Sequence, residues 1–316
     1  MVMTVLLLSL PFLVFFKAQA LVDWWQLRNY TPPASIVQLA QQDTMTPYAT
    51  HVFYVNHPDL ETGTSQFRAD CNESEKTIVL GCYHGNQDGI FIYSVSDPRL
   101  GGVQQVTAAH ELLHAAYDRL SSKDRSHIND LLNNYYQTVT DQRIIDTINS
   151  YKQSEPNDVV NEMHSVFGTE IPNLPQPLED YYKKYFTDRQ KITSYASSYE
   201  GEFNSREDQI KADDTQLAQM KSSIDSEESA LNSQLVKINS DRSRLNSERN
   251  SGSVDQYNSE VANFNSEVNS YNAGIDKLRI DIVAYNNLVN DRNSIAQELA
   301  SLAQAIDTRL TTQAAQ

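Results

Sequence analysis

Apolar residues follow three different patterns along this chain, and each predicts a different kind of element. Val2 to Phe16 is an almost unbroken apolar run. Between residues 23 and 187 apolar positions come in short clusters separated by turn formers. From about Asp188 to Leu310 they recur with a strict period.

In the middle region, Ser35 to Gln42 predicts a short helix. His51–Val55, Thr77–Tyr83 and Gly89–Val95 are short, rich in β-branched and aromatic residues, and bounded by turn formers; they predict strands. His84 to Asp88 predicts a hairpin loop between the second and third. Val103 to Leu120 predicts a helix, with helix-favouring Ala108, Ala109, Ala115 and Ala116 beside core-facing Val106, Leu112, Leu113 and Tyr117. Further helices are predicted from a Ser121 cap to about Thr138, over Asp141–Tyr151, from Pro156 to Phe167 with Gly168 as its stop, and over Leu178–Phe186. Pro172, Pro175 and Pro177 interrupt the chain before the last of these. A small sheet followed by helices is α+β order.

The tail lacks Cys and Pro. Phe203, Ile210, Leu217, Ile224, Leu231, Ile238 and Leu245 step by seven. From Tyr257 through Val261, Phe264 and Val268 to Leu310 the step alternates between four and three. This is a coiled-coil seam. Asn250-Ser251-Gly252-Ser253 separates two stretches of similar length, with Gly252 able to stop one helix and Ser253 with Gln256 able to cap the next. The expected fold is an antiparallel helical hairpin. Its first arm has a thinner seam, with Asp213, Glu227 and Gln234 where a second apolar row would sit. Such arms are a spacer, a platform for a protein partner, or a means of self-association. The domain organisation is therefore a signal peptide or signal anchor over 1–22, a mixed domain over 23–187 and a coiled-coil hairpin over 188–316.

Composition narrows the functional classes. The formal net charge is -16, which argues against nucleic acid and against charge-driven adsorption to anionic lipid. The N-terminal run ends in Lys17 and Ala18-Gln19-Ala20, which fits a cleaved export signal; as an anchor it would continue through Leu21-Val22 and set Trp24 and Trp25 at the interface. Either way the chain is expected to be extracytoplasmic, in a cell envelope or secreted. Cys71 and Cys82 are the only cysteines, and in an exported chain they predict one disulfide.

The strongest chemical signal is His110-Glu111-Leu112-Leu113-His114. Side chains four apart share a helix face, so His110 and His114 can aim two nitrogens at one metal ion while Glu111 reaches a water beside it. Zinc suits such donors, and a carboxylate at that place is a general base. Two histidines still need a third ligand. The metzincin solution would place it at residue 120, which is Leu120. Asn161-Glu162-Met163-His164-Ser165 instead resembles the N-E-x-x-S core of the second helix in thermolysin-type, gluzincin zinc metallopeptidases. The resemblance covers only these two motifs. It implies a zincin-like catalytic domain, Zn2+ as cofactor, Glu162 as third ligand, Glu111 as catalytic base and a peptide or protein as substrate. The family's aspartate after N-E-x-x-S is Val166 here. His164 is the rival third ligand, Asp118 and Glu170 are candidate supports for a ligand, and Tyr117, Tyr151 and His164 are candidate oxyanion donors. Ile90 to Tyr93 is a candidate edge for pairing with an extended peptide, with sheet core as the safer reading. There is no G-x-S-x-G elbow and no glycine-rich phosphate loop. The competing reading is a catalytically inactive envelope scaffold that acts through its coiled coil.

Overall fold

The computed structural model describes residues 18–71, 78–249 and 253–309. The apolar run up to Phe16 and the turn at Gly252 lie outside these residues. The chain divides into two compact units: one reaches to Glu202 and takes back residues from Leu302 onward, and the other is Phe203–Ser301.

The first unit is mostly helical around a three-stranded sheet. Helices α1 (Ala18–Leu27), α2 (Ala34–Gln42) and α3 (Pro47–Val55) precede strand β1 (Asp59–Glu61) and helix α4 (Thr64–Asp70). Strands β2 (Gly81–His84) and β3 (Gly89–Tyr93) form a hairpin closed by a 3-10 turn over Gly85–Gln87. Then come α5 (Val103–Asp118), α6 (Ser122–Tyr136), α7 (Gln142–Ser154), α8 (Val159–Glu170) and α9 (Gln176–Tyr182). The sheet order is β1-β3-β2. β1 runs parallel to β3, with Leu60 opposite Ile92, and β2 runs antiparallel to it, with Cys82 opposite Phe91.

Three expectations are corrected. His51–Val55 is helical, not extended. Thr46 caps the helix by accepting from the Ala49 N–H at 3.2 Å, and Pro47 sits in the first turn. Ala49, Val52 and Phe53 are then buried at helical spacing, so the cap and proline outweigh the β-branched run. Of the strand expected over Thr77–Tyr83, Thr77 lies outside the described residues, residues 78–80 are not strand, and the strand is Gly81–His84. Gly168 does not stop its helix, which continues to Glu170. A Cβ at this glycine would lie 2.5 Å from Leu113 and 2.7 Å from Tyr182, so the residue is small because α8 must approach α5 closely. β1 and α4 were not foreseen; β1 is three residues of polar sequence held by its neighbour β3.

Helix α5 is the axis of this unit. Ala108, Ala109, Leu112, Leu113 and Ala116 are fully buried, and its most extensive packing is against α8. Small alanines bring backbones close, and Leu112 and Leu113 fill the space against Phe167 and the other core side chains. Arg189 fastens the far end of α8. Its guanidinium, almost wholly buried, donates to the Ile171 carbonyl at 2.6 Å and the Pro172 carbonyl at 3.0 Å, and pairs with Glu179. At the other end of α5, Arg119 makes a two-pronged pair with Asp23 of α1 at 2.8 and 3.0 Å. Burial pushes the Asp23 carboxyl up, but Arg119, Gln19, His51 and Gln87 together hold it well below the usual carboxylate range.

Cys71 and Cys82 are bonded, tying the end of α4 to β2. This fits an oxidising, extracytoplasmic setting. The bridge closes a loop with a sequence separation of 11. Replacing both cysteines with serine is expected to cost about 2–3 kcal/mol, from the added freedom of the unfolded chain. Urea titration of the wild type and the double variant measures it. α1 leaves Leu21, Val22, Trp24 and Trp25 exposed. No helix among the described residues is long and apolar enough to cross a membrane.

The second unit lies within α10 (Arg189–Glu248) and α11 (Val254–Ile306). Ion pairs join Arg206 to Glu298, Asp214 to Arg292, Glu227 to Lys277, Lys237 to Glu267 and Arg244 to Glu260. Numbers rise on one arm as they fall on the other, so the arms are antiparallel. Leu231 packs onto Gly274, where a Cβ would lie 2.7 Å from its side chain. The seam is shallow: Leu231 and Leu245 are buried, most of its other positions half-buried, and Asp213 is buried on the thin row. Exposed ion pairs add little energy; here they set the register.

Candidate metal centre

The H-E-x-x-H turn lies midway along α5, and Glu162 lies in the first turn of α8. The packing of α5 on α8 brings them together. The His110 and His114 rings are 4.7 Å apart between centroids. Glu162 Oε2 lies 3.6 Å from His110 Nε2, and Glu162 Oε1 lies 3.5 Å from His114 Nε2. Donors about 2.0–2.1 Å from a tetrahedral zinc ion are themselves roughly 3.4 Å apart. The two His–Glu distances come close to that spacing, and the ligand atoms of all three side chains lie within 4.8 Å of one another, so two nitrogens and a carboxylate from two helices fit such an ion.

The triad opens into a cleft of about 230 Å³. One wall is residues 78–83, leading into and along β2; the others are the ligand turn of α5, Tyr151, Glu155, Asp158 and Asn161 around the α7–α8 connection, and Glu170 with Tyr199. Glu111 is buried at the back. A Cβ on Gly81 would lie 2.7 Å from its carboxylate and 2.5 Å from Thr107, so only glycine lets the strand come this close to the helix. β2 is an edge of the sheet, whereas β3, a candidate edge for which sheet core was the safer reading, is its centre, paired on both sides. The cause is simple: the unforeseen β1 occupies the far side of β3. Beside β2, Thr308 donates to the Val79 carbonyl at 2.8 Å.

The other sequence candidates fall in different places. Tyr151 lines the cleft and donates a hydrogen bond to Glu162. Tyr117 turns away, donating to Asn129 at 2.7 Å beneath the Arg125 guanidinium. Asp118 is exposed, 3.8 Å from Arg125 and in contact with the Tyr83 hydroxyl; it supports no ligand. His164 is fully buried away from the cleft, 2.8 Å from the Tyr181 hydroxyl and ringed by Tyr117, Tyr182 and Tyr185. Burial, reinforced by charge on His114 and His110, pushes it down to about 3, so it is a neutral packing residue. Glu170 lines the cleft and pairs with Arg143, which also reaches Glu200 at 3.1 Å. Arg143, Tyr199 and the Asp23–Arg119 pair carried no sequence signal, because each depends on contacts between distant segments.

Electrostatics couple the triad. Burial alone would lower His110, but Glu162, its ion-pair partner at 3.6 Å, with Glu111 and Glu170 nearby, raises it to about 9. Burial would raise Glu162, but His114 and His110 bring it below its ordinary value. The raised value favours a proton on His110 at neutral pH in the metal-free cluster, which a metal ion bound there would have to displace. Zinc affinity is expected to rise about tenfold per pH unit up to about 9, with release of about one proton per ion at pH 7. Titration calorimetry in two buffers of different ionisation enthalpy counts the protons.

No protein-family model, curated protein or solved structure matches this chain.

Proposed function

We propose that the first unit is a zincin-like catalytic domain and that the protein is an extracytoplasmic zinc-dependent peptidase. The observation that carries this is the convergence of His110, His114 and Glu162 at zinc spacing with Glu111 beside them in the same cleft. His110, His114 and Glu162 hold the ion, which when bound supplies a Lewis acid for a carbonyl oxygen and makes water a better nucleophile. Glu111 takes a proton from the attacking water and hands it to the leaving amine. Its burial keeps that carboxylate in a fixed place and shields the proton from bulk solvent. Tyr151, by donating to Glu162, fixes the orientation of that carboxylate. β2 offers its outer edge to an extended peptide backbone, and main-chain pairing of this kind suits a peptide substrate.

Metal analysis of protein purified without chelator is expected to find zinc on the triad. Casein hydrolysis should disappear with 1,10-phenanthroline and return with stoichiometric zinc. A zinc-loaded protein that cleaves nothing in a broad peptide library would overturn the peptidase reading in favour of the inactive scaffold.

A further inference from the structure

A second donor set shares the cleft with the first. Glu155, Asp158 and Glu162 each present a carboxylate oxygen, all within 4.8 Å of one another. The turn from α7 into α8 brings them together: the Asp158 N–H donates to the Glu155 carbonyl at 3.0 Å, and the Glu162 N–H donates to the Asp158 carbonyl at 3.1 Å. Acidic clusters are common where solvent bathes them, and this one would mean little alone. Asn161 sets it apart. Its side chain is only 8% exposed and lines the same cleft. The amide nitrogen donates to Asp158 Oδ2 at 3.0 Å, which fixes the orientation of the group, and the carbonyl oxygen Oδ1 is buried with no donor. A buried carbonyl left without a donor is costly; a cation satisfies it.

The chemistry of the donors selects the ion. Three carboxylates and an amide carbonyl are all hard oxygen donors, with no nitrogen or sulfur among them. Calcium takes six to eight such oxygens at roughly 2.3–2.6 Å in flexible geometry, whereas magnesium demands a regular octahedron. Charge points the same way. Glu155, Asp158 and Glu162 bring three carboxylates together in one cleft, and a divalent ion suits such a group.

We infer that Glu155, Asp158, Asn161 and Glu162 form a second, oxygen-only cation site of the calcium class, bridged to the triad by Glu162. The site touches the zinc reading only through that shared carboxylate, and its donors stand without it. A calcium ion here ties the α7–α8 turn to the carboxylate that also serves the triad, so it acts as a positioning element for the zinc ligand.

The test uses the full chain, zinc-loaded and freed of calcium. Titration calorimetry with calcium chloride should give one saturable equivalent per chain. Asp158→Asn and Glu155→Gln should each weaken it at least tenfold and lose the rise in melting temperature that calcium gives the wild type, with zinc content and the calcium-free melting temperature unchanged. His114→Ala, which removes a ligand of the triad alone, should lose zinc and keep the calcium isotherm. Failure of the zinc reading would thus leave this site intact, and failure of this site would leave the zinc. Absence of saturable calcium binding in the wild type overturns the inference. So does an isotherm that Asp158→Asn leaves unchanged, or a second equivalent that zinc fills in preference to calcium.

Discussion

Glu111→Gln is expected to lower peptide hydrolysis by about 10²–10⁴-fold, the range lost when a general base is removed, while the zinc content stays that of the wild type. The substitution keeps the shape of a side chain that is 5% exposed and removes only its ability to take a proton. Shape matters because Gly81 packs directly against this carboxylate; a larger or smaller residue would move β2 and confuse loss of the base with loss of the cleft wall. The loss should fall on kcat, since in the proposed reaction Glu111 would act on the attacking water and the leaving amine, whereas β2 and the open cleft would bind the substrate. Measuring kcat and KM beside metal content separates the cases. Activity within a few-fold of wild type would remove Glu111 from the reaction. Loss of zinc together with activity would show instead that Glu111 helps to hold the metal.

How much of this was legible in the sequence depended on the range of the interaction. The two histidines face one way because a helix repeats every 3.6 residues, and five consecutive residues suffice to say so. Glu162 comes 48 residues after His114, and spacing alone did not select it; a resemblance to a known motif did. The cap of α6 at Ser121 was readable because a cap is a local hydrogen bond, and Asp141, where the next helix was expected to start, caps α7. Thr46-Pro47 carried the same signal for α3, yet the valines and aromatics after it suggested a strand. What stayed hidden was tertiary. Gly168 reads as a helix stop unless Leu113 and Tyr182 are known to press against it. His164, two residues from Glu162, reads as a ligand unless its tyrosine surroundings are known. The edge of the sheet could not be assigned while β1, three residues long, was invisible. In the second unit the antiparallel direction was legible from the break at Gly252 between two stretches of similar length, and the cross-arm ion pairs agree with it.

The second large effect is expected at Glu162. Glu162→Gln should weaken zinc binding by more than the roughly 10–100-fold that follows loss of a mere supporting partner, because a neutral amide replaces the only anionic donor of the triad. The same substitution should change how the metal-free protein responds to pH. His110, raised to about 9 in the fold, contributes stability that is fully present below its ordinary value of 6.5 and is lost as pH rises through 9. Glu162, lowered from 4.5, contributes stability that is present above 4.5 and is lost as pH falls through its folded value. The cluster therefore supports the metal-free fold best between about 4.5 and 6.5. With glutamine at 162 the main support for a charged His110 is gone, burial becomes its dominant influence, and the decline in melting temperature between pH 6.5 and 9 should flatten. Thermal melts of both proteins across that range, in the presence of chelator, provide the comparison, and metal analysis at pH 7 gives the occupancy. Zinc content unchanged in Glu162→Gln would assign the third ligand to Asp158 or Glu155, whose carboxylates lie within 4.8 Å of the one removed.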